Sequence, residues 1–208
     1  MSSIFPIRDP QNDHLLTPEN SVLIVIDYQP IQINSIGSMD RNTLVRNICS
    51  LSEMAKGFKI PIILSTVNVA TGRNKDTINA LRAILTSEKS YDRTGINAWE
   101  DKEFLDAVKA TGRKKLVICA LWTEACLTFP ALDALHEGYE VFAPVDCVGG
   151  TSKEAHKAAL NRISQAGAKL TSLTQLACEW QRDWNRKETV PVFSKALVSN
   201  GSFLGETL

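Results

Sequence analysis

The sequence has no excess of charge of either sign. Its 208 residues include 23 Lys and Arg and 23 Asp and Glu, which leaves a formal net charge of zero. Proteins that bind nucleic acid or the surface of a membrane depend on a basic excess, so the balance argues against both classes. No apolar stretch in the sequence approaches the roughly 20 residues that a membrane helix requires.

The sequence also lacks an evident secretory signal and a cysteine framework. Residues 1–11 contain Pro6 and Pro10, mixed charge and no apolar run, so they do not resemble a signal segment. The five cysteines are odd in number and widely spaced, and they form no Cys-x-x-Cys motif. This pattern argues against a disulfide scaffold or a zinc site and indicates reduced thiols. We therefore expect a cytoplasmic protein.

Short apolar runs alternate with amphipathic or alanine-rich segments along the chain. The runs are rich in β-branched residues and show no in/out alternation, which is typical of strands buried on both faces of a parallel sheet. The predicted strands are residues 21–27, 60–65, 116–121, 139–145 and 169–173. The predicted helices are one that ends near Gly57 and residues 76–87, 102–111, 124–137, 152–166 and 176–184. Residues 90–99 have no clear period and are predicted to form a loop.

This alternation predicts a three-layer, doubly wound α/β fold with a mainly parallel sheet of five or six strands. No linker or internal repeat divides the sequence. We expect one domain over residues 1–208, with a core at about 20–184 and a C-terminal tail at 185–208. Folds of this type bind their ligands beyond the carboxyl ends of the strands, so the residues at those ends are the candidates for function.

An acid and a thiol follow two of the predicted strands. Asp27 ends the first strand, and Cys126 is expected to open the helix after the third strand. The N-terminus of a helix lowers the pKa of a thiol and offers N–H groups to an oxyanion, so Cys126 is a candidate nucleophile with Asp27 as its base. The alternative is that Cys126 is a small buried hydrophobe. Cys147, also at a strand end, is a weaker second candidate.

A cation would complete such a site, because a buried carboxylate requires a partner. Arg93, in the predicted loop over residues 90–99, is the candidate. The alternatives are that Arg93 is exposed to solvent and that Asp27 caps a turn or a helix.

Taken together, these residues resemble those of the isochorismatase-like cysteine hydrolases, and in particular the YcaC-like branch of that superfamily. The resemblance depends on Asp27, on a basic residue before residues 97–99 (Asn-Ala-Trp), and on residues 121–126 (Leu-Trp-Thr-Glu-Ala-Cys). Further matching segments are residues 22–29, 95–99, 129–132, 164–168, 177–179 and 182–184. The likeness therefore extends over about residues 22–184.

The resemblance implies a catalytic triad of Asp27, Arg93 and Cys126. Asp27 would be the general base, and Cys126 would attack a carbonyl carbon to form a thioester. Most of the superfamily has Lys where this sequence has Arg93. Because Arg keeps its proton, it can hold an acid and a thiolate but does not relay protons.

The resemblance also implies a cis peptide bond between Leu121 and Trp122. The backbone N–H groups of Trp122 and Cys126 would then form the oxyanion hole, and the Trp122 side chain would shape the pocket.

Five residues make up the predicted substrate-binding set: Gln29, Asn97, Trp99, Trp122 and Thr123. Gln29 and Asn97 are candidate polar contacts to the substrate or to Asp27. Ordinary hydrogen bonding within loops is the alternative for both of them.

The expected function is hydrolysis of a small amide or related C–N bond through a thioester. One alternative is a non-catalytic or redox-sensing binding protein on the same fold, and another is a nicotinamidase-type amidohydrolase. Nicotinamidases of the superfamily carry a metal-binding Asp and two His close in sequence, whereas His14, His136 and His156 are scattered, so no metal is expected. The substrate of isochorismatase is a dicarboxylate, and Arg93 is the single cation expected near the pocket.

No cofactor is expected, because the sequence has no P-loop lysine and no Gly-x-Gly-x-x-Gly motif. Residues 149–152 could hold an anion or form a turn and helix cap. The expected partners are a small-molecule substrate and further copies of the chain, since YcaC-like proteins assemble into rings. Apolar residues near the C-terminus could be buried by a partner subunit or by their own domain: Trp180, Trp184, Val190, Val192, Phe193 and Leu197.

Overall fold

The computed structural model describes residues 7–202, and its centre is a sheet of six strands. The strands are β1 (Ser21–Ile26), β2 (Ile62–Val67), β3 (Ser90–Arg93), β4 (Lys115–Ala120), β5 (Glu140–Pro144) and β6 (Lys169–Thr171). They lie in the order β3-β2-β1-β4-β5-β6, and every neighbouring pair is parallel. The predicted doubly wound α/β fold is confirmed.

Helices connect the strands and cover the sheet. They are α1 (Pro30–Asn34), α2 (Arg41–Gly57), α3 (Asn79–Ile84), α4 (Lys102–Ala110), α5 (Thr128–His136), α6 (Lys153–Gln165), α7 (Leu173–Gln181) and α8 (Val190–Ser199). Contacts join α2 to α3, α7 and α8, whereas α5 contacts α6. Within residues 7–202, no helix combines the length and the apolar character needed to cross a bilayer.

The two central strands explain why the core forms where it does. Every residue of β1 and β4 is buried, and the strands are paired in register from Ser21 with Lys115 to Ile26 with Ala120. Strands with apolar side chains on both faces require helices on both sides of the sheet. The strand order reverses between β1 and β4, so the residues that follow these two strands, Asp27 and Leu121, lie at the switch point of the fold.

Residues 90–99 are not a loop throughout, which corrects the prediction. Residues Ser90–Arg93 form the edge strand β3, parallel to β2, with Arg93 opposite Val67. A short 3₁₀ turn, Ala98–Glu100, follows the strand. The sequence of β3 has no apolar run because an edge strand is only half covered, so hydrophobic periodicity does not detect it.

The tail predicted after residue 184 contains helix α8, which is a second correction. This helix packs on α2 and α7 and buries Phe193 and Leu197. A Cβ atom placed on Gly57 would lie 2.7 Å from Cγ1 of Val192, so glycine permits the close approach of α2 and α8. Trp180 is fully buried in α7, whereas Trp184 is 55% exposed.

The helix predicted over residues 124–137 begins differently from an ordinary α-helix. Residues Thr123–Leu127 form a π-helical turn, in which the Leu127 N–H donates to the Trp122 carbonyl at 3.2 Å, and α5 continues from it. The π turn places Cys126 within the segment that joins β4 to α5. Such turns often occur at functional sites.

Candidate active site

Asp27 follows β1 directly and is completely buried. Its backbone has a positive φ of 62°, and its N–H donates to the Ser65 carbonyl at 3.0 Å. A non-glycine residue in this conformation is uncommon, and residues of this kind concentrate at functional sites. The conformation is held by the neighbouring strand, which fixes where the carboxylate lies.

Arg93, the last residue of β3, forms a two-pronged ion pair with Asp27. Nη1 lies 2.9 Å from Oδ1 and Nη2 lies 2.8 Å from Oδ2, and the Arg93 side chain is only 2% exposed. Burial by itself lowers the pKa of Arg93, but the hydrogen bonds and charge of Asp27 outweigh it and raise the pKa above its ordinary value. The guanidinium is therefore a permanent cation in this site.

The remaining contacts of the Arg93 guanidinium are to neutral oxygens. Nη1 donates to Oγ of Ser65 at 3.0 Å and to the Thr66 carbonyl at 3.1 Å, and Nη2 donates to the Ile96 carbonyl at 3.0 Å. Nε is buried and has no hydrogen-bond partner among the described residues. The arginine thus connects the carboxyl ends of β1 and β2 with the loop that follows β3.

The Cys126 thiol lies beside this ion pair and is 7% exposed. Burial raises the pKa of Cys126 to about 12, and the charge and hydrogen-bonding capacity of Asp27 act in the same direction. The charge of Arg93 and the backbone N–H of Trp122 act in the opposite direction. The expectation of a lowered pKa is therefore wrong for this structure, because desolvation and a neighbouring carboxylate outweigh the helix terminus. The sulfur rests as a thiol, with an acceptor for its proton at hand.

The segment before Cys126 is fixed by backbone contacts to the end of β1 and to the loop between β5 and α6. The Leu121 N–H donates to the Ile26 carbonyl at 3.1 Å, and the Thr123 N–H donates to the Gly149 carbonyl at 2.9 Å. The Leu121–Trp122 peptide bond is cis, the geometry implied by the family resemblance at this position. The backbone N–H of Trp122 lies near enough to Cys126 to lower the pKa of its thiol.

Trp122 and Thr123 occupy different environments. The Trp122 side chain is partly exposed, and its Nε1 donates to Oγ of Ser35 at 2.6 Å. Thr123 is completely buried, and its Oγ1 lies 2.8 Å from Nδ1 of His156. Trp122 therefore remains available to a substrate, whereas the Thr123 hydroxyl joins the nucleophile segment to α6.

His156 and Glu124 form a polar cluster beside the nucleophile that the sequence did not reveal as part of the site. Burial lowers the pKa of His156, and the charge of Glu124 opposes this effect. Oε1 of Glu124 accepts from the N–H and Oγ1 of Thr151 at 2.9 and 2.6 Å. A Cβ on Gly150 would lie 2.6 Å from Oε2 of Glu124 and 3.0 Å from Cβ of His156, so a larger residue would displace the Glu124 carboxylate. A lone histidine in a helix carries no motif, so the sequence offered no signal for it.

The anion-binding alternative for residues 149–152 is replaced by a helix cap. Oγ of Ser152 accepts from the Ala155 N–H at 3.0 Å and caps α6. The Gly150 carbonyl accepts from the N–H groups of Gly37 and Ser38 at 3.0 and 3.2 Å. The loop therefore uses its polar groups to hold the nucleophile segment in place.

Gln29 has its whole amide engaged by backbone. Its Nε2 donates to the carbonyls of Val67 and Lys75 at 3.0 and 2.7 Å, and its Oε1 accepts from the Val67 N–H at 2.9 Å. The side chain is completely buried. The structure thus favours the alternative interpretation of Gln29, in which it fixes the loop after β2.

Asn97 and Trp99 are likewise bonded within the protein. Nδ2 of Asn97 donates to Oδ2 of Asp133 at 2.7 Å, and its Oδ1 accepts from the Trp99 N–H at 3.1 Å. Trp99 is buried, and its Nε1 donates to Oε1 of Glu137 at 2.8 Å. Both residues anchor the segment after Arg93 to α5 and its end, and neither presents a free polar group to the triad.

The other nucleophile candidate, Cys147, is completely buried next to Cys119. Burial raises its pKa well above the ordinary value, and the neighbouring Cys119 thiol adds to the effect. The nearby Asp146 carboxylate accepts from the Leu173 N–H at 2.9 Å and caps the segment that enters α7. Cys147 is therefore a residue of the core. Over the described part of the chain, no three or more His, Cys, Asp or Glu side chains are grouped to hold a metal ion.

A buried acid, a fixed guanidinium and a thiol therefore meet at the switch point of a doubly wound sheet, and comparison with known proteins names the family. The Isochorismatase domain family matches residues 21–175. The chain therefore belongs to the isochorismatase family.

Within that family, the YcaC proteins are similar over most of the chain. The "Probable hydrolase YcaC" of Escherichia coli is 36% identical over 170 residues, which are 81% of each protein. The structure of E. coli YcaC, described as an octameric hydrolase of unknown specificity, has a TM-score of 0.84 and 33% identity and covers 91% of this chain and 94% of that one. The structure of Pseudomonas aeruginosa YcaC with hexane-2,5-diol and covalent acrylamide has a TM-score of 0.84 and 30% identity over 90% and 92% of the two chains. The protein is a hydrolase of the isochorismatase family.

Proposed function

We propose that the protein cleaves a small amide or related C–N bond through a thioester on Cys126, with Asp27 as general base and Arg93 as the fixed cation. The observation that supports this most directly is the arrangement of three residues from distant parts of the chain. The Arg93–Asp27 ion pair is buried, with N–O distances of 2.9 and 2.8 Å, and the thiol lies beside it. Burying two charges costs free energy, so a buried ion pair is expected where its hydrogen bonds are complete or where a function requires it.

The raised pKa of Cys126 decides how the first step would proceed. At neutral pH the sulfur carries its proton, so Asp27 would accept that proton as the sulfur attacks the carbonyl carbon. The protonated Asp27 would then give the proton to the departing nitrogen, which leaves a thioester. In the second half, Asp27 would take a proton from water, the hydroxide would attack the thioester, and the thiol would leave with the proton.

The negative charge on the carbonyl oxygen would be held by backbone N–H groups. The N–H of Trp122 acts on the Cys126 thiol, and with the N–H of Cys126 it would form the oxyanion hole. Arg93 would stabilise the carboxylate of Asp27 without exchanging its own proton. Trp122, partly exposed beside the thiol, would form one wall of the substrate pocket, as the sequence analysis expected.

The raised pKa also separates this proposal from the redox-sensing alternative. Cysteines that sense oxidants are exposed and have low pKa values, because oxidation follows the thiolate. Cys126 is buried, and its pKa is about 12. A proton acceptor within the site favours a nucleophile that is activated during the reaction.

Related structures add support for a small neutral ligand and for assembly. The P. aeruginosa protein carries covalent acrylamide. We expect acrylamide to alkylate Cys126 here.

The E. coli relative is an octamer, and we propose that this chain is also a homo-oligomer. Trp184 and Val198 are exposed apolar side chains near the C-terminus that a second copy could cover.

The test is turnover of a panel of small amides, measured as release of ammonia or amine. We expect activity in the native protein and its loss in Cys126→Ala. The matched control is Cys178→Ser, which removes an exposed thiol in α7 and is expected to keep full activity. Stoichiometric alkylation of Cys126 without turnover of any amide would support the binding-protein alternative. Bound zinc or iron in the purified protein would support the nicotinamidase-type alternative.

A further inference from the structure

The charges of the candidate site are already paired with each other. Asp27 and Arg93 are the charged side chains that act most strongly on the Cys126 thiol. They carry opposite charges and are joined by two N–H···O hydrogen bonds. The Asp27 side chain is 0% exposed and the Arg93 side chain is 2% exposed. A ligand that reaches the sulfur therefore meets a site whose formal charge is balanced.

Arg93 has no accessible N–H left for a ligand. Its Nη1 and Nη2 atoms donate to both carboxylate oxygens of Asp27 and to oxygens of Ser65, Thr66 and Ile96. The remaining donor, Nε, is buried beyond the reach of solvent. A substrate carboxylate could bond to this guanidinium only by displacing one of these acceptors.

Exposed or partly exposed apolar side chains follow each triad residue within four positions of the sequence. Ile31 in α1 is 51% exposed, and Ile96, whose carbonyl binds Arg93, is 65% exposed. Phe129, in the first turn of α5, is partly exposed and lines a groove of about 540 Å³ together with Ile96 and Leu132. The same groove is lined by Glu100, Asp133 and Arg162, so its charged side chains also carry both signs.

From these observations we infer that the substrate is uncharged where it binds next to Cys126, and that it is a small neutral amide or related compound. The inference rests on the proposed function and names the substrate class of the same site. A carboxylate or an ammonium group that entered this site would lose water without gaining a partner, which is unfavourable. A neutral carbonyl group loses little and gains the backbone N–H groups.

The inference is tested with pairs of thiol reagents that differ in charge: iodoacetamide against iodoacetate, and acrylamide against acrylate. Labelling of Cys126 is followed by mass spectrometry of its peptide, and each rate ratio is divided by the same ratio for 2-mercaptoethanol. We expect a remaining preference for the neutral reagent of about tenfold or more. A corrected ratio near one, or a preference for the anion, would overturn the inference and leave the nucleophile assignment intact.

A different outcome would count against the proposed function itself. If prolonged exposure to either reagent labels the exposed Cys178 but never Cys126, the thiol is not the nucleophile. The two failures are therefore distinguishable in one experiment, because the first changes a ratio at Cys126 and the second removes the signal at Cys126.

Variants that carry a lysine at an exposed apolar position provide a second test of the inference. Ile96→Lys and Ile31→Lys place an ammonium at exposed positions three residues after Arg93 and four residues after Asp27, whereas Val198→Lys places one at an exposed position on α8. We expect at least one of the first two to shift the ratio several-fold toward iodoacetate, and Val198→Lys to leave it within about twofold. A ratio that no variant changes would overturn the inference, since charge would then not govern access.

Discussion

The two ends of the sheet carry ion pairs of different kinds. At the amino ends of β4, β5 and β6, Lys115 and Lys169 share Glu140, which is 42% exposed. Burial raises the pKa of Glu140, but the hydrogen bonds and charges of the two lysines together outweigh it and lower the pKa. At the carboxyl ends, Asp27 and Arg93 are shielded almost completely from water. Exposed pairs contribute little to stability, whereas a buried pair depends on both of its members.

The two ends of the sheet also differ in how much open volume they contain. A cavity of about 960 Å³ lies at the amino end, where Phe58, Trp180 and Arg182 are among its lining residues. The candidate nucleophile at the other end is only 7% exposed. Volume therefore does not mark the candidate site in this chain. The candidate site is marked instead by a carboxylate, a guanidinium and a thiol that lie together and are shielded from water.

The largest effect is expected from breaking the buried pair. Asp27→Asn would leave Arg93 without its counter-charge and remove the base, so activity should fall about a thousandfold or more. The free energy of unfolding should fall by about 3–5 kcal/mol. Glu140→Gln is the matched change at the amino end and should cost less, about 1–2 kcal/mol. Lys115 is only 6% exposed, but Glu140 is 42% exposed, the Gln amide oxygen can still accept a hydrogen bond, and Lys115 keeps the His14 carbonyl. Equal losses in urea unfolding would contradict the contrast between the two ends.

Arg93→Lys should have the next largest effect. Lysine keeps the charge but has one ammonium group in place of the fork that reaches Asp27, Ser65, Thr66 and Ile96. We expect kcat/KM to fall about 10-fold to 100-fold through loss of alignment. Arg93→Met, which leaves the carboxylate unpaired, should be worse. If Arg93→Met retained as much activity as Arg93→Lys, the cation would not be needed.

The pH dependence of alkylation at Cys126 sharpens the comparison with an ordinary thiol. Because its pKa is raised to about 12 and the thiolate is the reactive form, the rate should rise about tenfold for each pH unit between pH 7 and pH 10. A small free thiol levels off near its own pKa, about 8.5. A plateau at Cys126 below pH 8, measured by mass spectrometry of its peptide, would show that the thiol is ionised at rest.

The smallest effect is expected at His156. Its Nδ1 holds Oγ1 of Thr123 at 2.8 Å, and so positions the segment that carries Cys126. His156→Asn can keep a polar atom near the Nδ1 position, whereas His156→Gln places one farther out and His156→Ala removes it. We expect alkylation of Cys126 to slow by about twofold to fivefold in the Ala and Gln variants, with recovery in the Asn variant. Equal rates in all three variants would exclude a positioning role.

Much of the fold could be predicted, because the strands that build its centre are continuous apolar runs. β1 and β4 are buried along their whole length, so burial alone determines their composition. The elements that were missed are those in which partners decide the conformation. The edge strand β3 has polar and half-buried residues, and α8 is a helix in a segment of mixed polarity that becomes ordered by packing on α2.

The candidate site was likewise predicted only in part from the sequence. Asp27 and Cys126 were identified from their positions at the ends of predicted elements and Arg93 as a cation in a predicted loop, and the family resemblance supported all three. The structure brings them together. The amides of Gln29 and Asn97 are bonded to Val67 in β2 and to Asp133 in α5, and their contact with substrate stays a prediction. His156 was not identified because its importance depends on a contact across 33 residues.

By itself, the sequence determined the alternation of buried strands and helices, and therefore the edge of the sheet at which chemistry could occur. It determined this because apolar periodicity is a local property of the chain. Only the tertiary structure decided that the acid and the guanidinium neutralise each other and that the thiol keeps its proton. Both depend on desolvation and on charges from distant segments, which no local pattern records.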